Sequence, residues 1–185
     1  MREKNFDPEI RALLKEETIK YCTALFLNKL TKGERPLLFR LFREIKLGIN
    51  KQREIIEWLE DVMKRDGKKA DVVLDKTGLD AILDDIALNA PQKGDLFRER
   101  LFDLRFPEIS KYQAALKDKL NTLSLPHGVK LIPITPLEDG EFRLEIAFHS
   151  AEGLQEKLVD VEKLSRGETM MGLWDHTHSS GQPLV

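Results

Sequence analysis

The chain has one cysteine, Cys22, among its 185 residues. An intramolecular disulfide is therefore excluded, and the composition suits a reducing compartment. Aromatic residues make up only 7%. Of the two tryptophans, Trp58 fits a helix face and Trp174 falls in a tail, so spacing reveals no stacking platform. No stretch approaches the ~20 consecutive apolar residues of a membrane span. The polar start Met1-Arg2-Glu3-Lys4-Asn5 is not followed by the apolar core of a signal peptide. A cytoplasmic protein with no membrane partner is the expectation. Neither sign of charge prevails, with 30 Lys+Arg against 32 Asp+Glu and a net charge of −2. Whole-chain electrostatics then give no drive toward nucleic acid, and any such contact needs a local patch. The chain also lacks a glycine-rich phosphate loop, a G-x-S-x-G elbow and an H-E-x-x-H pair. No enzymatic activity and no cofactor are expected.

What is present is helical periodicity. The 41% apolar and 34% charged content fits an ordered, mostly α protein of one or two small domains. Asp7-Pro8 reads as a helix start, with Asp as N-cap and Pro at the first helical position. Further helices are expected over about Ile19 to Leu30, Arg35 to Ile45, and from a cap at Asn50 to about Lys64. Arg65 to Lys69 is a polar stop. A short helix starting near Thr77 and another from Ala90-Pro91 follow, the latter ending at Phe106-Pro107 because a residue before proline avoids the α region.

From Glu108 to Leu164 the pattern is helix, strand, strand, helix. Residues 107–120 repeat apolar positions at helical spacing. Val129 to Ile134 and Phe142 to Phe148 read as strands flanking Asp139-Gly140. Phe142, Leu144, Ile146 and Phe148 fall on one face, with Arg143, Glu145 and His149 on the other. Val129 and Leu131 can pack beside the apolar face, with Lys130 outward. Pro133 and Pro136 mark an edge or a bulge. Ser150 reads as the N-cap of a last helix carrying Leu154, Leu158 and Val161 on one stripe. A lone two-strand hairpin is marginal, and open sheet edges pair with other chains. The unit therefore points to a homodimer. Its expected interface is Leu116, Leu120, Val129, Leu131, Phe142, Leu144, Ile146, Phe148, Leu154 and Leu158.

These residues also resemble a family. Gly128-Val129-Lys130-Leu131, the hairpin at Gly140, and Leu144-Glu145-Ile146-Ala147-Phe148-His149-Ser150-Ala151-Glu152-Gly153-Leu154 look like the C-terminal domain of ParB chromosome and plasmid partition proteins. Residues 7–19 and 46–56 are similar to helical segments of the same family, collinear with the C-terminal match. The resemblance covers roughly residues 6–64 and 108–164. It implies a domain that dimerises through its sheet and helices and binds DNA without sequence preference. The family's G-E-R-R nucleotide-binding signature and its DNA recognition helix have no counterpart in this sequence, and Cys22-Thr23-Ala24-Leu25 stands where the family has G-H-x-R. CTP hydrolysis and site-specific DNA reading are therefore not implied. The expected organisation is a helical bundle over 1–66 resembling the rear of the ParB DNA-binding domain, a helical connector over 67–107, an αββα dimerisation unit over 108–164, and a flexible tail over 165–185.

Two surfaces are candidates for DNA. Phe39 to Trp58 can form a helix-turn-helix around Gly48 that presents Lys46, Lys51, Gln52 and Arg53; the alternative is a helical hairpin with a solvated face. On the outer sheet face Lys130 and Arg143 are offset by Glu141 and Glu145. A further basic cluster, Lys93, Arg98, Arg100 and Arg105, is interleaved with Asp95, Glu99 and Asp103, so intrahelical ion pairs account for most of it. Asp175-His176-Thr177-His178 is too thin a ligand set for structural zinc, which takes four ligands, and no metal is expected. His127 and His149 read as surface residues, and Cys22 as a small apolar residue. The functional expectation is a ParB-like, DNA-associated partition protein that dimerises and binds DNA weakly without sequence specificity. A protein-interaction adaptor that keeps the dimer scaffold is the other reading.

Overall fold

The computed structural model describes residues 6–134 and 141–173. Among them the chain is mostly helical, with one two-stranded antiparallel sheet. It divides into two compact units, Met1–Pro107 and Glu108–Val185. Unit 1 runs α1 (Pro8–Lys15), α2 (Tyr21–Lys29), α3 (Pro36–Glu44), α4 (Ile49–Asp66), α5 (Ala70–Thr77), α6 (Leu79–Asp84) and α7 (Ala90–Arg105). Then follow α8 (Pro107–Thr122), β1 (Val129–Pro133), β2 (Phe142–Ile146), α9 (Ala151–Ser165) and α10 (Glu168–Met171).

In unit 1 several helix ends depart from the simplest reading of their residues. Asp7 holds the N-cap position of α1 but caps nothing with its side chain. Its carboxylate instead accepts from the guanidinium of the buried Arg35. Arg35 also donates to the Leu30 carbonyl at 2.9 and 2.6 Å, closing the end of α2. The N-cap of α4 is Gly48 in an extended conformation, so Asn50 lies inside the helix and caps nothing. The short helix expected to start near Thr77 is α6, which starts at Leu79, and a helix not expected from the sequence, α5, precedes it. Thr77 ends α5, and Gly78 turns the chain at φ 67° before α6, a left-handed conformation that glycine adopts without a Cβ clash. Asn89 caps α7 with a reciprocal Gln92 contact.

Residues 67–107 are not a connector in packing terms. Ala70, Val73, Leu74, Leu79, Phe97 and Leu101 are buried in the same core as Ile10, Leu13, Leu27, Leu38, Phe42, Ile55 and Leu59. The physical reason is that α5 and α7 pack their apolar sides on the stripe of α4, and α6 packs on α3, α5 and α7. At Gly94 α7 lies close to the segment after α3, since a Cβ there would lie 3.2 Å from Ile45 Cγ2.

Unit 2 is built on far fewer buried side chains. β1 and β2 pair with Val129 opposite Ile146, Leu131 opposite Leu144 and Pro133 opposite Phe142. The second strand ends at Ile146, two residues short of the expected Phe148, because the chain bends there to bring Ser150 to the N-cap of α9. Ser150 Oγ accepts from the Gly153 amide at 3.1 Å. Gly128 enters the sheet at φ 80°, and its carbonyl accepts from the Ala147 amide at 2.8 Å. A Cβ at this position would meet Lys157 Nζ at 2.7 Å, and that ammonium donates to the Ala147 carbonyl. Gly128→Ala is therefore expected to destabilise unit 2 by about 1–2 kcal/mol through the left-handed backbone and the displaced lysine, read as a lowered urea midpoint. The segment from 165 is not wholly a tail: α10 and Leu173 belong to unit 2, with Leu173 buried beside Leu116 and Leu123. Pro136, Asp139, Gly140, Trp174 and Asp175 to His178 lie outside the described residues.

Candidate nucleic-acid and association surfaces

The helix pair α3–α4 holds the first predicted DNA-contacting set, and it divides sharply. Gln52 is fully buried. Its Oε1 accepts from the Lys20 amide at 2.9 Å and the Thr23 hydroxyl at 2.8 Å. Its Nε2 donates to the Thr18 carbonyl at 3.0 Å and the Leu47 carbonyl at 2.8 Å. All the hydrogen-bonding capacity used here points inward, so Gln52 is an internal clip and not a base-reading residue. Lys51 is exposed, but its ammonium sits 2.9 Å from Asp95. Lys46 and Arg53 are exposed.

The cluster on α7 has a partner that its own helix did not reveal. Lys51 meets Asp95, Glu54 meets Arg98 and Asp61 meets Arg105, each 44 residues apart. Trp58 and Phe102 keep the same offset and pack edge to face at 5.5 Å. A constant offset means that α4 and α7 run parallel. The α4 positions follow a 3-4-3 spacing, the seam of two helices packed side by side. Arg98 and Arg105 thus meet α4 carboxylates, and within α7 Arg98 also lies 3.6 Å from Asp95. Phe106 extends the aromatic group, stacking near Phe102 at 4.9 Å with the Arg105 guanidinium 4.6 Å from its ring centre. Arg40 is likewise held, by Glu44, Asp80 and Asp84 at 2.5–2.8 Å.

On the sheet, Lys130 stands opposite Glu145, and Ile132 opposite Arg143. Arg143 pairs with Glu145 at 3.2 Å on the same strand. Both cations are exposed, with acid beside them.

The association residues tell a different story. Leu116 and Val129 are buried, whereas Leu120, Leu131, Phe142, Ile146 and Leu154 are half-buried. Leu144 is 38% exposed, Phe148 51%, Leu158 48% and its neighbour Val159 50%. Helix α9 spans 15 residues and buries none of them. Unit 2 also carries an open groove of about 310 Å³, lined by Thr122, Leu123, Ser124, Lys163, Leu164 and Met170.

Carboxylates inside unit 1 carry a pH signature. Glu34 is buried and accepts from the Thr31 hydroxyl at 2.6 Å, the Thr31 amide at 3.0 Å and the Ala70 amide at 3.2 Å. These hydrogen bonds, that from the Thr31 hydroxyl first, hold its carboxyl below the ordinary glutamate range. The Arg35 hydrogen bond does the same for Asp7. A lowered folded-state pKa contributes stability above the unfolded value and loses it as pH falls through the folded one. Unit 1 should therefore weaken on acidification below about pH 4.5, and Glu34→Gln should flatten that limb of a stability-against-pH curve measured by urea unfolding.

Cys22 is free and half-buried, and no metal-holding group of His, Cys, Asp and Glu occurs among the described residues. His127 and His149 are exposed. No described helix is long and apolar enough to cross a membrane. Comparison with known proteins adds nothing to this geometry: no family model, curated protein or solved structure matches the chain.

Proposed function

We propose that the protein is a ParB-like, DNA-associated scaffold whose C-terminal αββα unit pairs two copies of the chain and whose N-terminal helical bundle lies against nucleic acid. The observation that carries this reading is the uncovered apolar surface of unit 2, where Leu144, Phe148, Leu158 and Val159 stay exposed and α9 buries no residue. A unit with so small a core gains stability by covering that surface with a second copy. The DNA half of the reading is supported by the collinear resemblance of residues 7–19, 46–56 and 128–154 to the partition family. The inward use of Gln52 and the Lys51–Asp95 pair favour a second reading, an adaptor that keeps the pairing surface and engages a protein.

Fluorescence anisotropy with a random-sequence duplex separates them. Phosphate contacts release counterions, so affinity for DNA falls steeply with salt. Salt-sensitive binding by the intact chain is the expected result. A chain that ignores duplex DNA at both low and moderate salt would leave the adaptor reading in its place.

A further inference from the structure

Several cations of unit 1 make no salt bridge with a described residue, the exposed Arg43, Lys46 and Arg53 among them, and the fold assembles one such group from two turns distant in sequence. Glu34 is the joint. Its carboxylate accepts from Thr31 on the α2–α3 turn and from the Ala70 amide at the start of α5. This joins the turn that carries Lys32 to the turn that carries Lys69. Lys29 Nζ reaches Glu60 at 3.4 Å, which sets the end of α2 against the last turns of α4, where Lys64 follows one turn on. Lys68 closes the α4–α5 turn through its amide on the Met63 carbonyl.

All five lysines are exposed. Lys32, Lys64, Lys68 and Lys69 make no salt bridge with a described residue, and the Lys29 side chain is 71% exposed despite its long contact with Glu60. This contrasts with Lys51, Arg40, Arg98 and Arg105, each seated on a carboxylate. Of the acidic groups near the edge, Asp66 faces Arg65 and Lys76, while Glu34, held by three uncharged donors, keeps its charge near Lys69. In a chain of net charge −2, the result is a local cationic excess.

We propose that this lysine edge, formed by Lys29, Lys32, Lys64, Lys68 and Lys69, is where unit 1 binds the phosphate backbone of nucleic acid. The inference rests on the DNA-associated reading and moves its contact site away from Lys51 and Gln52. Flexible ammonium groups on long stems act as point charges, suited to sequence-independent contacts with phosphates and not to base reading. The two turns, Thr31-Lys32-Gly33 and Gly67-Lys68-Lys69, present no large apolar side chain, so the edge has nothing to insert into a lipid surface.

The test uses the full chain and a random-sequence duplex titrated by anisotropy at several salt concentrations. The variants are K32Q/K68Q/K69Q, with K46Q/R53Q and K130Q/R143Q as comparators. Because the three lysines are exposed, thermal unfolding of the triple variant should match the parent. Removing three phosphate contacts should weaken binding at least tenfold at moderate salt and lower the slope of log affinity against log salt by about 2.7. Both comparators should stay within about twofold of the parent. A triple variant that binds like the parent would overturn the lysine edge while leaving DNA association standing. A parent chain that fails to bind duplex, or binds only vesicles of anionic lipid, would overturn both.

Discussion

Replacing Gln52 by alanine is expected to destabilise unit 1 by about 3–5 kcal/mol, because the change both opens a cavity and strands buried polar groups. The Lys20 amide, the Thr23 hydroxyl and the Thr18 and Leu47 carbonyls all lose the same partner. That loss is a large share of the 5–15 kcal/mol that holds a typical domain together. Chemical denaturation read by far-UV circular dichroism measures it directly. DNA affinity, corrected for the folded fraction, should not change, which separates a clip from a DNA contact. Gln52→Glu gives an independent check. It keeps the acceptor for Lys20 and Thr23 but turns an oxygen toward the Thr18 and Leu47 carbonyls and buries a charge. Burial raises the folded-state pKa of that carboxyl. The penalty is therefore full above the folded pKa and fades as pH falls toward the ordinary glutamate value of about 4.3.

The second large effect lies in unit 2. Leu144→Glu combined with Leu158→Glu should convert the paired chain to a monomer. The two leucines are 38% and 48% exposed in the single chain and are covered in the proposed pair. Burying a leucine contributes about 2 kcal/mol, so losing two per protomer weakens association by at least about a thousandfold. Putting carboxylates at the same positions adds a desolvation cost to any residual pairing. Sedimentation velocity reads the change in mass, and unit 1 should keep its helical signal because its core is built from its own residues. Lys130→Gln with Arg143→Gln, on the outer sheet face, should leave the mass unchanged.

Much of the helical layout was legible because apolar residues recur at helical spacing, as with Leu37, Leu38, Leu41, Phe42 and Ile45. The strands were legible for the complementary reason, since Phe142 to Ile146 alternates at period two, and their register places the predicted face together. Gln52 was misread from its chemistry. The stripe Ile55, Ile56 and Leu59 continues one turn back to position 52, so its place on the helix already put it in the core. Pairing across α4 and α7 was hidden because an offset of 44 residues is set by tertiary packing, not by local pattern. The proposed lysine edge was hidden for the same reason: the turns that carry Lys32 and Lys69 meet only through Glu34. Asn50 failed as a cap because the extended Gly48 starts the helix earlier.

The central claim is that the exposed apolar surface of unit 2 is covered by a second copy of the same chain. Sedimentation equilibrium of the intact protein across nanomolar to micromolar concentration tests it most directly. The account predicts a mass near twice the 21.3 kDa of one chain at micromolar concentration, falling toward a single chain only on dilution. A single-chain mass that persists through the micromolar range would contradict it.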